Sequence, residues 1–188
     1  MLTKLIDLGY IGTGTTPSMK KTNYYNSDDI QFIKPSDIMD NEVSEIIKSE
    51  YFISNDARQK ARIFPKNTIL CVCIWSIGKI GITSQESSCN QQINYIIPNK
   101  GHNAKFLAYS LLSKKNELIR IGSNSPVVPI INKSRFENIE ITTFDYNMET
   151  EIVNILDNIK NAINLKKKEL SSLDELIKSR FIRLEVLV

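Results

Sequence analysis

From Met148 to Val188 the chain contains no Gly and no Pro, and Leu156, Ile163, Leu170, Ile177 and Leu184 recur there every seven residues. An apolar heptad without a helix breaker predicts one continuous helix, with these five at position a and Ile159, Lys166, Leu173, Arg180 and Leu187 at position d. Such a helix is roughly 55–60 Å long at about 1.5 Å per residue, far more than a domain of this size needs to cover its own core. The pattern therefore predicts packing against a second long helix through a seam of Leu156, Ile159, Ile163, Leu170, Leu173, Ile177 and Leu184. The competing arrangement is a terminal helix lying across its own domain. Lys166 and Arg180 weaken the seam but restrict its register, by snorkelling to its edge or pairing with a partner acid such as Glu169 or Asp174.

Residues 1–147 are then left to form a globular domain, with 148–188 as the helix. A chain of 188 residues, 41% hydrophobic and 24% charged, has room for one core and that helix. The net charge is +3. Residues 148–188 hold seven Lys or Arg and seven Asp or Glu, so the excess lies in the first 147. Bases gather at Arg58, Lys60, Arg62 and Lys66 and again from Lys100 to Arg120, a balance that permits a polyanion partner. No stretch of about 18 apolar residues occurs, and Met1–Tyr10 lacks the apolar run of a signal peptide. The expectation is a cytoplasmic protein without membrane contact. Cys71, Cys73 and Cys89 have no CxxC spacing, and His102 is the one histidine. Buried thiols are expected and a metal site is not.

Along the body, Met1–Tyr10 reads as a strand leading into the loop Gly12-Thr13-Gly14-Thr15-Thr16-Pro17-Ser18, with Lys20 and Lys21 behind it. Glycines, hydroxyls and a proline expose backbone amides, but no Gly-Lys-Ser/Thr follows at the spacing of a nucleotide phosphate loop. Ile30–Ile33 reads as a strand, and Ser54-Asn55-Asp56 as the cap of a helical turn reaching Arg62. Ile69–Trp75 carries no charge and is the strongest strand pattern, buried on both faces. Ser76-Ile77-Gly78-Lys79 turns it into Ile80–Thr83. Cys89-Asn90-Gln91-Gln92 precedes a strand Ile93–Ile97. Side-chain amides are costly to bury unpaired and suited to reading hydrogen-bond patterns, so the three amides either read a partner or satisfy loop backbone groups. Asn103–Ser113 predicts an amphipathic helix. A loop Gly122–Pro126, a short strand Val127–Ile131, a turn capped by Asn132 and a strand Ile139–Phe144 follow. Asn147 is the expected N-cap of the long helix, with Glu149 and Glu151 in its first turn.

The order of these pieces resembles the specificity subunits of type I restriction-modification systems. The residues that carry the likeness are the Gly12–Ser18 loop, the strand Ile30–Lys34 with Asp37, and Pro65–Thr68 before Ile69–Trp75. The Ile77-Gly78-Lys79-Ile80-Gly81 turn, Asn90-Gln91, Gly122-Ser123 and the helix from Met148 complete it. The chain departs from that pattern at the helix entry, where Thr142-Thr143-Phe144-Asp145 and Glu149-Thr150 stand in place of Pro-Pro and Glu-Gln. The resemblance implies an α+β fold: a mixed α/β target recognition domain followed by one long C-terminal coiled-coil helix. A full specificity subunit looks like two such units in tandem with antiparallel helices, so this chain resembles a half-subunit. Two copies would then pair through the seam as a homodimer and span a bipartite DNA target.

The resulting expectation is a DNA sequence-recognition protein without catalysis of its own. Lys20, Lys21, Lys79 and Arg120 are the candidate phosphate contacts, and Thr15, Ser76, Gln91, Gln92, Ser123 and Asn124 the candidate base readers. Double-stranded DNA and methyltransferase (modification) subunits are the implied partners, with a restriction subunit as an optional one. S-adenosylmethionine would belong to the modification subunit, leaving this chain with no cofactor and no metal. The competing reading is a coiled-coil adaptor or inhibitor whose globular part binds protein. An enzyme finds little support, since no nucleophile accompanies His102 and neither a Gly-rich cofactor signature nor an Asn/Asp-Pro-Pro-aromatic tetrad occurs.

Overall fold

The charge-free run that begins at Ile69 becomes the middle strand of a five-stranded sheet. The computed structural model describes residues 1–125 and 127–185, and side chains along the last helix as far as Ser179. Its elements in chain order are β1 (Leu2–Lys4), α1 (Leu5–Leu8), β2 (Gly9–Thr13), β3 (Ile30–Ile33), β4 (Val43–Ile46), β5 (Phe52–Ile53), β6 (Ile69–Val72), β7 (Ile80–Thr83), β8 (Ser87–Cys89) and β9 (Ile93–Pro98). There follow α2 (Ala104–Ser113), α3 (Lys115–Ser123), α4 (Lys133–Glu137), β10 (Glu140–Thr142) and α5 (Tyr146–Glu185). The main sheet has the order β2-β9-β6-β7-β4, antiparallel throughout except that β4 runs parallel to β7. Smaller sheets pair β5-β3-β8 and β1-β10.

Every residue of β3, β6 and β7 is buried, which explains why Ile69–Val72 and Ile80–Thr83 read as continuous apolar or small runs and not as alternations; in β3 the Nε2 of the buried Gln31 donates to Ile47 O at 3.1 Å. The core joins the two larger sheets through Ile33, Ile38, Ile46, Phe64, Leu70, Val72, Cys89, Ile93 and Tyr95. Burial raises the Tyr95 phenol to about 12, with the neighbouring Tyr10 adding to it. All three cysteines are free and buried. The thiol of Cys71 is pushed up by its hydrogen bond to Cys73 and by burial. On α2, Phe106, Leu107, Ala108 and Leu111 are buried, and the Asn103 side chain caps the helix through Lys105 N and Phe106 N.

Several expected elements differ. Met1–Tyr10 is not one strand: a single helical turn, α1, divides it. The strand expected over Ile69–Trp75 stops at Val72. Ser54 does not cap a helix; its hydroxyl binds Asn23 O, and only a 3-10 turn, Asn55–Ala57, follows. Gly122 and Ser123 lie inside α3 and not in a loop. Gly122 closes against the tip of the Ile77 side chain, which a Cβ there would push aside. Val127–Ile131 forms no strand, only the bridge Ile130 to Ile74, because Pro129 has no N–H to give to a ladder. Strands β4, β5 and β8, of two to four residues each, are too short to show a period in the sequence.

By its contacts the chain divides into two compact units, Met1–Glu149 and Thr150–Val188. Asp145, not Asn147, caps α5: its Oδ1 accepts from Asn147 N (3.1 Å) and Met148 N (3.0 Å). His102 is held by an acid. Its Nδ1 lies 3.0 Å from Oε1 of Glu149, whose fully buried carboxylate also accepts from Asn103 N (2.8 Å) and Phe144 N (3.4 Å). The second unit is a single helix on which Ile159, Ile163, Leu170, Leu173 and Ile177 are 49–63% exposed in the isolated chain. Leu156 is half-buried. Lys166 pairs with Glu169 of its own helix at 2.8 Å, an exposed bond of little energetic value. The side chains of Arg180 and Leu184, and Pro126 and Leu187 entirely, lie outside the described residues. No helix among the described residues is long and apolar enough to cross a membrane.

Candidate nucleic-acid interface

Strand direction decides which loops meet. Because β2 and β6 both run antiparallel to β9, and β7 antiparallel to β6, one end of the sheet collects the ends of β2 and β6 with the starts of β9, β7 and β4. The Gly-Thr loop after β2, the amide turn before β9 and the Trp75–Lys79 turn between β6 and β7 therefore share one rim.

Backbone bonds lock the first two together. Gly14 N donates to Ile93 O and Thr15 N to Cys89 O, both at 2.9 Å. Gly14 must be glycine, since a Cβ there would strike the carbonyl oxygens of Cys89 and Asn90. The Thr16 hydroxyl then donates to Gln91 Oε1 at 2.6 Å, and Arg62 Nη1 donates to Thr13 O at 2.5 Å. Thr15 is half-buried, Gln91 exposed and Gln92 half-buried. Asn90 and Gln92 satisfy each other, through Asn90 Nδ2 to Gln92 Oε1 (2.8 Å) and Gln92 N to Asn90 Oδ1 (3.1 Å). Of the three amides, Gln91 is thus the one set outward.

Next along the rim, Cys73 N donates to Gln92 O at 2.8 Å, tying the amide turn to the β6–β7 connection. There Ser76, Lys79 and Ser123 line one cleft of about 410 Å³, with Asp40, Trp75 and Lys115. Ser76 and Ser123 are exposed, and the Ser123 hydroxyl donates to Ile119 O of its own helix (2.8 Å). Lys79 Nζ reaches Pro35 O at 3.3 Å. The Lys115 ammonium bonds Asp40, holding that carboxyl below its usual value. Asn124 faces a separate recess of about 560 Å³ with Asn132, Ser134 and Arg135. Lys20, Lys21 and Arg120 are exposed, Lys21 with its ammonium 5.3 Å from the Tyr24 ring.

Thr15, Gln91 and Gln92 are thus brought together, Ser76, Lys79 and Ser123 adjoin them, and Asn124 stands apart. Two residues of this rim fall outside the predicted set. Arg62 belonged to a basic cluster whose position could not be read from sequence. Trp75, expected inside a buried strand, is 65% exposed with φ 63; the charge-free run around it concealed it.

A cleft of about 770 Å³, larger than either of these, lies at the opposite end of the sheet, lined by Pro65, Lys66, Thr83, Pro98, Lys100 and His102 among others. Among the described residues no group of three or more His, Cys, Asp or Glu is placed to hold a metal ion.

Comparison with known proteins sets this geometry among relatives. The family model described as type I restriction modification DNA specificity domain matches residues 1–175. The Type I restriction enzyme MjaIX specificity subunit of Methanocaldococcus jannaschii is 31% identical over 97% of this chain and 44% of its own length. The HindI specificity subunit of Haemophilus influenzae is 30% identical over 97% and 40%. The chain thus spans less than half the length of these curated relatives. Among solved structures, a chain of a type I R-M system superposes with a TM-score of 0.77 at 17% identity, over 95% of this chain and 42% of that one. The HsdS subunit from Thermoanaerobacter tengcongensis gives 0.70 at 18%, over 89% and 39%. At such identities the two structures speak for the fold.

Proposed function

The chain belongs to the family of type I restriction modification DNA specificity domains, and on that premise we propose that it recognises one half of a bipartite DNA sequence within a type I restriction-modification complex. The observation that carries this reading is the shared rim, where Thr15, Ser76, Gln91, Gln92 and Ser123 stand on one end of a rigid sheet. Polar side chains there read base edges, while Lys20, Lys21, Lys79 and Arg120 neutralise phosphates. Methyl transfer, with its S-adenosylmethionine, is the work of partner modification subunits, and cleavage that of a restriction subunit where one is present. This chain takes no catalytic step.

The apolar stripe of α5 supports the second half of the proposal. Five seam residues about half exposed are costly to leave in water, and a partner helix covers them best. A second copy, paired as a coiled coil, would supply that helix and place two recognition bodies on two half-sites at a fixed spacing. Light scattering of the full chain and of Leu170→Asp tests this pairing: a dimer that the substitution dissociates is expected, and a wild-type monomer overturns it. Fluorescence anisotropy with labelled duplex DNA tests the recognition half. Affinity should fall steeply with log[salt] through counterion release; a chain that binds no duplex, and whose affinity for a protein partner changes little with salt, would favour the adaptor reading.

A further inference from the structure

Trp75 is the one tryptophan of the chain, and its backbone stands where a bulky residue rarely does. Its φ is 63, in the left-handed region, and across it Ser76 N donates to Ile74 O at 2.9 Å. Those features describe a γ-turn on its rare, strained branch. The indole nevertheless remains 65% exposed. A slack loop would relax its backbone or fold the ring inward, but this one is held on every side. Cys73 N bonds Gln92 O (2.8 Å), Ile131 N bonds Cys73 O (2.9 Å), Trp75 N bonds Pro129 O (3.3 Å) and Gly78 N bonds Val72 O (3.0 Å). The framework thus keeps an apolar ring in solvent at the expense of backbone strain, a combination found where a side chain must be positioned for a partner.

We infer that Trp75 is a base-contacting residue whose indole enters the major groove of bound duplex DNA and packs on the C5-methyl group of thymine. The inference rests on the DNA-recognition reading above and adds a specificity determinant to it. Polar readers flank the ring: Ser76 and Ser123 line its cleft, and the Gln91–Gln92 turn is bonded to the strand end that carries it. Among the residues of that cleft Lys79 and Lys115 face a single acid, Asp40, which suits a polyanion better than an apolar protein surface. A two-stranded turn of this kind fits a major groove about 12 Å wide and not a minor groove of about 6 Å. On major-groove base edges the thymine methyl is the apolar group on display, and a flat ring covers it without unstacking the helix.

The test uses the full chain, wild type, Trp75→Gly and Trp75→Asn, each to enrich duplexes from a pool with a random 40-base-pair core. Gly and Asn tolerate φ 63, so both variants should fold with thermal midpoints at or above wild type. The wild-type consensus should contain a thymine position that both variants lose while the other positions persist. Affinity of the variants for the wild-type consensus duplex should fall about tenfold. Uracil in place of that thymine should cost wild type about fourfold, the value of one buried methyl, and cost the variants nothing. The Trp75 emission should shift on binding. The inference is overturned if the variants enrich the same consensus, if uracil costs all three proteins alike, or if the emission stays put while anisotropy reports binding. Those three results leave DNA recognition standing. A wild-type chain that enriches no consensus overturns both readings.

Discussion

The two ends of the five-stranded sheet are built to opposite rules. At the far end from the candidate interface, the cleft is larger and its key groups are satisfied inside the protein: the buried Glu149 carboxylate gathers His102, Asn103 N and Phe144 N. At the interface end the clefts are smaller, yet Gln91, Ser76 and Trp75 are turned to solvent on turns fixed by backbone bonds. A hollow suits a small molecule, whereas a duplex is a rod that must be met by a firm projecting edge. Under the proposed DNA reading, then, the larger cavity and the outward polar groups on rigid turns lie at opposite ends of the sheet, and the second feature is the one that fits a duplex.

Substitutions at the two ends should separate stability from recognition. The largest effect is expected for Glu149→Ala, which removes a fully buried carboxylate and its three hydrogen bonds and should lower the unfolding free energy by about 3 kcal/mol in denaturant melts. The DNA consensus of the surviving folded protein should be unchanged; an altered consensus would dissolve the distinction. Gly14→Ala should act at the other end, wedging the Gly-Thr loop off the amide turn. Overpacking there should cost about 1–3 kcal/mol of stability, and duplex affinity measured by anisotropy should drop with it. Gln91→Ala should leave the melting midpoint in place and remove about 1–3 kcal/mol of base discrimination, read from competition between duplexes. A charge exchange sharpens the contrast further. Lys20→Ala with Lys21→Ala should flatten the log–log salt slope by about 2, at roughly 0.9 per phosphate contact, whereas Lys66→Ala with Lys100→Ala should not move it.

The smallest effect is in acid. Asp40 titrates below its ordinary value of 3.8, chiefly because Lys115 bonds the carboxylate. The stability this adds is present above the unfolded-state value and is lost as pH falls through the lower folded one. Asp40→Asn should therefore cost a little stability near neutrality, where wild type keeps the full benefit. The gap between the two melting midpoints should close as pH drops below 3.8.

Periodicity and turn chemistry made part of this architecture legible. Ile30–Ile33 and the helix capped by Asn103 stand where apolar spacing and the cap put them, and the long terminal helix follows its heptad, although Asp145 and not Asn147 caps it. Strands β4, β5 and β8 escaped because two to four residues such as Val43–Ile46 or Ser87–Cys89 carry no period; tertiary pairing makes them strands. The Gly122–Ser123 pair reads as a loop by composition, yet it closes helix α3, with Gly122 packed against the tip of Ile77. Gln91 and Gln92 were weighed alike, and only the bond between Asn90 and Gln92 distinguishes them. Trp75 was hidden by hydrophobicity itself, since an indole meant for the surface reads the same as one meant for the core.

The short ribbon of β1 and β10 carries a different consequence. It lays the first residues beside the last ones of the body, with the Met1 ammonium 2.6 Å from Thr143 O and the Thr3 and Thr143 hydroxyls 2.9 Å apart. A chain that enters and leaves a body at neighbouring points can be cut and grafted there without stretching either flank. The body is in that sense a cartridge: two crossovers at one spot could exchange it with a new set of rim side chains and leave the sequence of the helix after it unaltered.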